Sequence, residues 1–123
     1  MKLKEKHIQI FALCSLVITL CLITVFSLMS ANNIKEIGLT FNDKMMHFLA
    51  YTALGFSLFL TTKNYILTIC SGFVFSLLIE ILQKYNSRYM EGADLIANFC
   101  GLVIGILCVK LFLALLRPIL ERG

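Results

Sequence analysis

The stretch that decides the fold is NDKMMHFLAY, residues 42–51, where charged and hydrogen-bonding groups enter an otherwise apolar segment. Asp43, His47 and Tyr51 are four residues apart, so on a helix they form one polar stripe about 12 Å long. Lipid cannot solvate such a stripe, and we therefore expect it to face protein or water. Two later apolar segments also have a polar end, and we predict that the three polar ends form one site.

The composition around this stretch indicates a membrane protein. Of the 123 residues, 59% are hydrophobic and 15% are charged, against about half apolar and about a quarter charged in soluble domains. The charges lie in short islands between long apolar runs, as in proteins that cross the lipid bilayer several times. Basic residues that flank these runs explain the formal net charge of +4, so we expect no nucleic-acid partner.

Four apolar runs predict a single domain, residues 1–123, that is an all-α membrane protein with a bundle of four transmembrane helices. The first run resembles a signal peptide, but it is longer than the about 7–15 apolar residues of a cleaved signal. We expect Pro118 to end the last helix, because proline cannot continue the hydrogen-bond ladder. The predicted spans are residues 8–29, 44–61, 65–84 and 93–116.

The distribution of basic residues predicts the orientation. With four spans, both termini and the connection at residues 62–64 share one side of the membrane. That side carries seven basic and two acidic residues, and the opposite side carries four basic and five acidic residues. Because basic residues mark the cytoplasmic side, we expect both termini to be cytoplasmic and the polar helix ends to lie at the outer face.

Three of the predicted helices bring costly polar groups to that outer end. An ionised Glu80 near the membrane costs at least about 2–3 kcal/mol unless it is paired or hydrated. Asp94 and Asn98 are four residues apart and share a helix face. The candidate binding residues are Asp43, Lys44, His47, Tyr51, Glu80, Gln83, Arg88, Asp94 and Asn98.

Several of these residues also have a purely structural interpretation. Asp43 is well suited to cap a helix. His47 could be a hydrogen-bonded buried imidazole or, with an acid partner, a proton shuttle or headgroup binder. Arg88 could bind a phosphate or carboxylate together with Lys44, or only anchor the loop at the interface. Amides such as Asn98 commonly hold membrane helices together.

Small residues in the apolar runs predict packing. Gly101 and Gly105 allow close helix approach, either within the chain or in a possible homodimer. The cysteines are odd in number and lack ligand spacing, so we interpret them as small packing residues and expect no disulfide and no zinc site. The sequence contains no Gly-rich phosphate loop, GxSxG, HExxH or paired metal-ligand spacing, so we expect no metal and no cofactor. They are Cys14, Cys21, Cys70, Cys100 and Cys108.

An ordered set of polar and small residues runs through residues 40–106. Its members are Asp43-Lys44, His47, Tyr51, Gly55, Glu80-x-x-Gln83, Arg88, Asp94-x-x-x-Asn98 and Gly101-x-x-x-Gly105. This set resembles the VanZ-like family, small bacterial membrane proteins named after a teicoplanin-resistance accessory protein, although Asn86-Ser87 departs from the Pro-Gly-like turn expected there. The resemblance implies a multi-pass protein of the bacterial cell membrane, linked to the envelope and in some members to glycopeptide tolerance. It implies no established reaction.

We therefore predict an outer polar pocket that binds the head of an envelope lipid or a lipoglycopeptide, with Arg88 and Lys44 toward anionic groups. Two alternatives stay open. The same residues could perform acid–base chemistry on a lipid-linked substrate, with His47 as the base. The chain could also be a non-catalytic interaction subunit, in which the polar ends only lock the helices together.

Overall fold

The structure, a computed structural model, describes residues 2–28, 43–85 and 92–122, apart from the side chain of Asp43. These residues form four α-helices and no strand, and each helix is long and apolar enough to cross a membrane. The predicted all-α fold with four membrane-spanning helices is confirmed. The side on which the termini lie stays a prediction. The helices are α1 (Lys2–Leu28), α2 (Asp43–Thr62), α3 (Tyr65–Tyr85) and α4 (Gly92–Glu121).

Lys63 and Asn64 alone connect α2 to α3. Lys63 has a φ of 56° and donates its N–H to the Phe59 carbonyl at 2.8 Å, so a left-handed residue ends α2. The Asn64 side-chain oxygen accepts the N–H of Leu67 at 3.1 Å and thereby caps the start of α3. Two residues are enough to reverse the chain, which makes α2 and α3 antiparallel neighbours.

Glycines bring α2 and α4 into the most extensive contact of the bundle. A Cβ on Gly101 would lie 2.6 Å from the carbonyl oxygen of Phe48, and one on Gly55 would lie 2.6 Å from that of Leu102. A Cβ on Gly105 would also meet the α2 backbone. The close approach that the sequence indicated thus occurs within the chain. Since α2 covers Gly101 and Gly105, neither glycine is free to face a second copy, and homodimerisation itself stays a prediction.

Two apolar clusters fill the interior of the bundle. Both take residues from α1, α2 and α4, and one of them also includes Ile79 of α3. That cluster contains Tyr51, so the apolar core continues directly into the polar end of the bundle. The buried members are Ala12, Phe59, Leu60, Ile106 and Val109 in one cluster, and Ile23, Tyr51, Leu54, Ile79 and Leu102 in the other.

Two expectations from the sequence are wrong. Helix α4 passes through Pro118 and ends at Glu121. Because Pro118 lies close to the end of the helix, it removes only one N–H from the helical hydrogen-bond ladder. Arg122 still donates its N–H to the Pro118 carbonyl at 3.2 Å. The cysteines do not pack inside, since all five are exposed on outer helix faces. A weakly polar thiol is tolerated there because lipid is an apolar surrounding. They are Cys14, Cys21, Cys70, Cys100 and Cys108.

Candidate functional site

One end of the bundle holds buried polar side chains from three helices. Helices α2 and α4 begin there and α3 ends there. His47, Glu80 and Asp94, one from each helix, are all buried, and each offers a ring nitrogen or carboxylate oxygen within 4.8 Å of those of the other two. The fold therefore brings together three ionisable groups that are far apart in the sequence.

Asn98 connects the same three helices through its side-chain amide. Its oxygen lies 3.0 Å from Nδ1 of His47, and its nitrogen donates to Oγ of Ser76 at 2.7 Å. The nitrogen also makes a longer contact of 3.4 Å with Oε1 of Glu80. An amide oxygen can only accept, so Nδ1 of His47 carries the proton in this contact. Asn98 thereby fixes both the orientation and the tautomer of the imidazole.

The imidazole also faces a carboxylate. Nδ1 of His47 lies 3.5 Å from Oε1 of Glu80, whose side chain is completely buried. In surroundings of low dielectric constant, the attraction between an imidazolium and a carboxylate is much stronger than in water. An isolated carboxylate would be costly at this depth, and the donors around Glu80 offset that cost.

The other predicted site residues lie at the same end of the bundle but differ in exposure. Tyr51 is buried one turn after His47, and its hydroxyl lies beside Ser76 and Glu80. Gln83 is also buried, whereas Lys44 is exposed at the start of α2. Two predicted members, Arg88 and the side chain of Asp43, lie outside the described residues.

Ser76 is a member of this cluster that sequence reasoning missed. It is fully buried and accepts the hydrogen bond from Asn98. A single serine inside an apolar run is usually a packing residue, which explains the omission. The available signal was its position one turn before Glu80, which places both side chains on one face of α3.

The sequence predicts no metal site, but the arrangement of the polar cluster is able to hold a cation. The candidate ligand atoms of His47, Glu80 and Asp94 are close enough to surround one ion after small side-chain movements. Because each of the three ligands comes from a different helix, no local spacing pattern in the sequence indicates a metal site. The same arrangement can also move protons, since imidazole gains and loses a proton near neutral pH.

The fold and the site define a class: a multi-pass α-helical membrane protein with a buried, ionisable cluster at one end. Over residues 5–113 the chain matches the VanZ/LLP1 family. The chain therefore belongs to this family, which confirms the resemblance carried by residues 40–106. No significant match was found among curated proteins or among solved structures.

Proposed function

We propose that this VanZ-like protein acts in the bacterial cell envelope, where its polar cluster binds the head of an envelope lipid or a lipoglycopeptide and so contributes to teicoplanin tolerance. The observation that supports the proposal is the convergence of His47, Glu80 and Asp94. Amides and hydroxyls suffice to lock membrane helices together. Ionisable groups cost more in a membrane and are typical of functional sites.

The chemistry of the cluster favours a ligand with both hydrogen-bond donors and an anionic group. Glu80 and Asp94 can accept hydrogen bonds from the hydroxyl, amide or amine groups of a polar head. Lys44 is exposed at the same end of α2 and supplies a positive charge for a phosphate or carboxylate. We assign Arg88 the same role, because its planar guanidinium can bind either anion through two hydrogen bonds.

Conservative variants test this proposal in a bacterial strain that depends on the protein for teicoplanin tolerance. Glu80→Gln and Asp94→Asn remove a charge but keep the volume and the hydrogen-bonding capacity of each side chain. We expect both variants to lower the inhibitory teicoplanin concentration toward that of the strain without the protein. Glu121→Gln is the matched control, because Glu121 is exposed near the C-terminus and pairs only with Arg117 in the described part of the chain.

The amount of each variant protein in the membrane decides how a change in susceptibility is interpreted. If Glu80→Gln and Asp94→Asn accumulate to wild-type levels and leave susceptibility unchanged, the binding proposal is wrong. If instead the variants lose abundance and susceptibility changes only in proportion, the polar ends lock the helices together. That result supports the non-catalytic interaction subunit.

The contacts of His47 favour a second candidate function, acid–base catalysis on a lipid-linked substrate. Its ring is held at 3.0 Å from Asn98 and 3.5 Å from Glu80, which is the kind of orientation that a general base requires. The purified protein would then convert labelled envelope lipids, and His47→Gln would abolish turnover. Binding of the lipid without any turnover would rule out this candidate.

The assignment to the outer leaflet makes a separate prediction about sidedness. In a background without native cysteines, we expect a membrane-impermeant maleimide to label Glu36→Cys and Arg88→Cys on intact cells. Lys63→Cys should react only after permeabilisation, because the short connection between α2 and α3 would lie in the cytoplasm. The opposite labelling pattern would put the polar cluster at the cytoplasmic face and exclude an extracytoplasmic pocket.

A further inference from the structure

We propose that His47, Glu80 and Asp94, together with Asn98, form a binding site for one divalent transition-metal ion of the zinc type. The inference does not rest on the proposed function, because an ion can bind here whether or not a polar head does. It rests on the distances, the kinds of ligand and the hydrogen bonds of the cluster.

The distances around Nδ1 of His47 fit a shared ion. This nitrogen lies 3.5 Å from Oε1 of Glu80 and 3.0 Å from Oδ1 of Asn98. Two ligands at about 2.0–2.1 Å from a tetrahedral zinc ion are separated by about 3.3–3.4 Å. The carboxylate of Asp94 belongs to the group of ligand atoms that lie within 4.8 Å of one another. A side-chain movement of at most about 1.5 Å therefore brings it into the coordination sphere.

The kinds of ligand select the kind of ion. A neutral imidazole nitrogen favours Zn²⁺ and similar ions over Mg²⁺ and Ca²⁺, which prefer sites made only of oxygen. The carboxylates of Glu80 and Asp94 together match the double positive charge of the ion. The ion replaces the proton on Nδ1 of His47 and releases it to solvent, and the amide oxygen of Asn98 becomes a neutral fourth ligand.

Neighbouring side chains hold the ligands as metal sites require. Ser76 accepts the amide hydrogen of Asn98 at 2.7 Å, which turns the Asn98 oxygen toward His47. Such supporting hydrogen bonds typically change metal affinity by about 10- to 100-fold. They also make the site stiff, because Ser76 and Asn98 are both completely buried.

Tyr51 adds a further polar group beside the site. Its hydroxyl is buried, it interacts with Ser76, and it lies near the charge of Glu80. Buried hydroxyls usually take part in hydrogen bonds. Tyr51 therefore belongs, like Ser76, to the polar surroundings that hold the ligands in place.

Zinc binding to the full-length protein in detergent tests the proposal. The protein is purified without a histidine tag, its exposed cysteines are alkylated, and bound metal is removed with a chelator. It is then reloaded with Zn²⁺, and excess ion is removed by gel filtration. Mass spectrometry of the metal content gives the stoichiometry, and competition with a chromogenic zinc chelator gives the affinity. We expect one Zn²⁺ per chain, and we expect Glu80→Gln and Asp94→Asn each to weaken binding at least about tenfold.

Matched controls exclude binding elsewhere on the chain. His7→Gln removes the exposed histidine of α1 and should leave stoichiometry and affinity unchanged, whereas His47→Gln should weaken binding at least as much as the carboxylate variants. A bound Co²⁺ ion reports the ligands directly, and its visible absorption spectrum should change in His47→Gln but not in His7→Gln.

Two results would overturn the proposal. One is a folded, alkylated wild-type protein that retains no stoichiometric zinc, a measurement that does not depend on any variant folding. The other is wild-type affinity in Glu80→Gln and Asp94→Asn proteins that show native helix content and elute as the wild type does. Either result would leave the cluster as a network of hydrogen bonds and ion pairs without a metal.

Discussion

Replacing Gly105 with leucine is expected to separate α2 from α4 and to destabilise the protein by at least about 3 kcal/mol. A Cβ at this position would lie 2.6 Å from the backbone nitrogen of Phe56 and 2.9 Å from the carbonyl carbon of Gly55. These atoms belong to the backbone of a helix, so no side-chain rotation can relieve the clash. The helices must move apart, and the polar cluster above the contact would lose its geometry.

The loss is measured as a fall in membrane abundance and in the thermal unfolding temperature of the purified protein in detergent. Gly105→Ala introduces the Cβ alone and should show an intermediate loss. Gly92→Ala is the matched control, because a Cβ on Gly92 has no neighbour within 4 Å among residues 2–28, 43–85 and 92–122 and alanine favours the helix. Wild-type stability of Gly105→Leu would mean that α2 and α4 are not in contact as described.

Replacing Asn98 with leucine is expected to lower the free energy of unfolding by about 2–4 kcal/mol. The substitution keeps the approximate volume but removes the contacts with His47, Ser76 and Glu80. Each hydrogen bond between membrane helices contributes about 0.6 kcal/mol on average and at most about 1.7. The buried groups that lose a partner add their own cost of about 1–3 kcal/mol.

Chelator-treated protein is required for this measurement, so that a bound ion does not add to the effect. Ile96→Ala is the matched control on the same helix, because Ile96 is exposed and its truncation leaves the interior of the bundle unchanged. Asn98→Asp separates the effect of side-chain charge on stability from the effect of side-chain volume. It replaces the donor to Ser76 with an acceptor and adds a carboxylate near Glu80, so we expect it to be at least as destabilising. A stable Asn98→Asp protein would contradict the described network.

Much of the fold could be predicted because its signals are local. The apolar runs gave the four helices, and the four-residue spacing of His47 and Tyr51 placed both side chains on one face of α2. The alternation of spans placed the polar ends of α2, α3 and α4 at one side of the bundle. This is why the sequence alone groups Glu80 and Asp94 with His47.

The lateral order of the helices could not be predicted, since hydropathy carries no information about which helices touch. Gly101 and Gly105 indicated a close approach, but not that α2 is the partner. The role of Ser76 could not be predicted for the same reason, since Ser76 binds Asn98 of another helix. The exposed cysteines were misjudged because packing residues and lipid-facing residues are equally apolar.

The contact between α2 and α4 has a consequence for biosynthesis. His47 and Asn98 are 51 residues apart in the chain, so at about 5–20 residues per second the ribosome needs about 3–10 s to deliver the partner of α2. Helix α2 is also the least hydrophobic of the four. During that interval Asn98 cannot yet contact the imidazole and α4 cannot cover Gly55, so we expect α2 to reach its final packing only after α4 has been inserted.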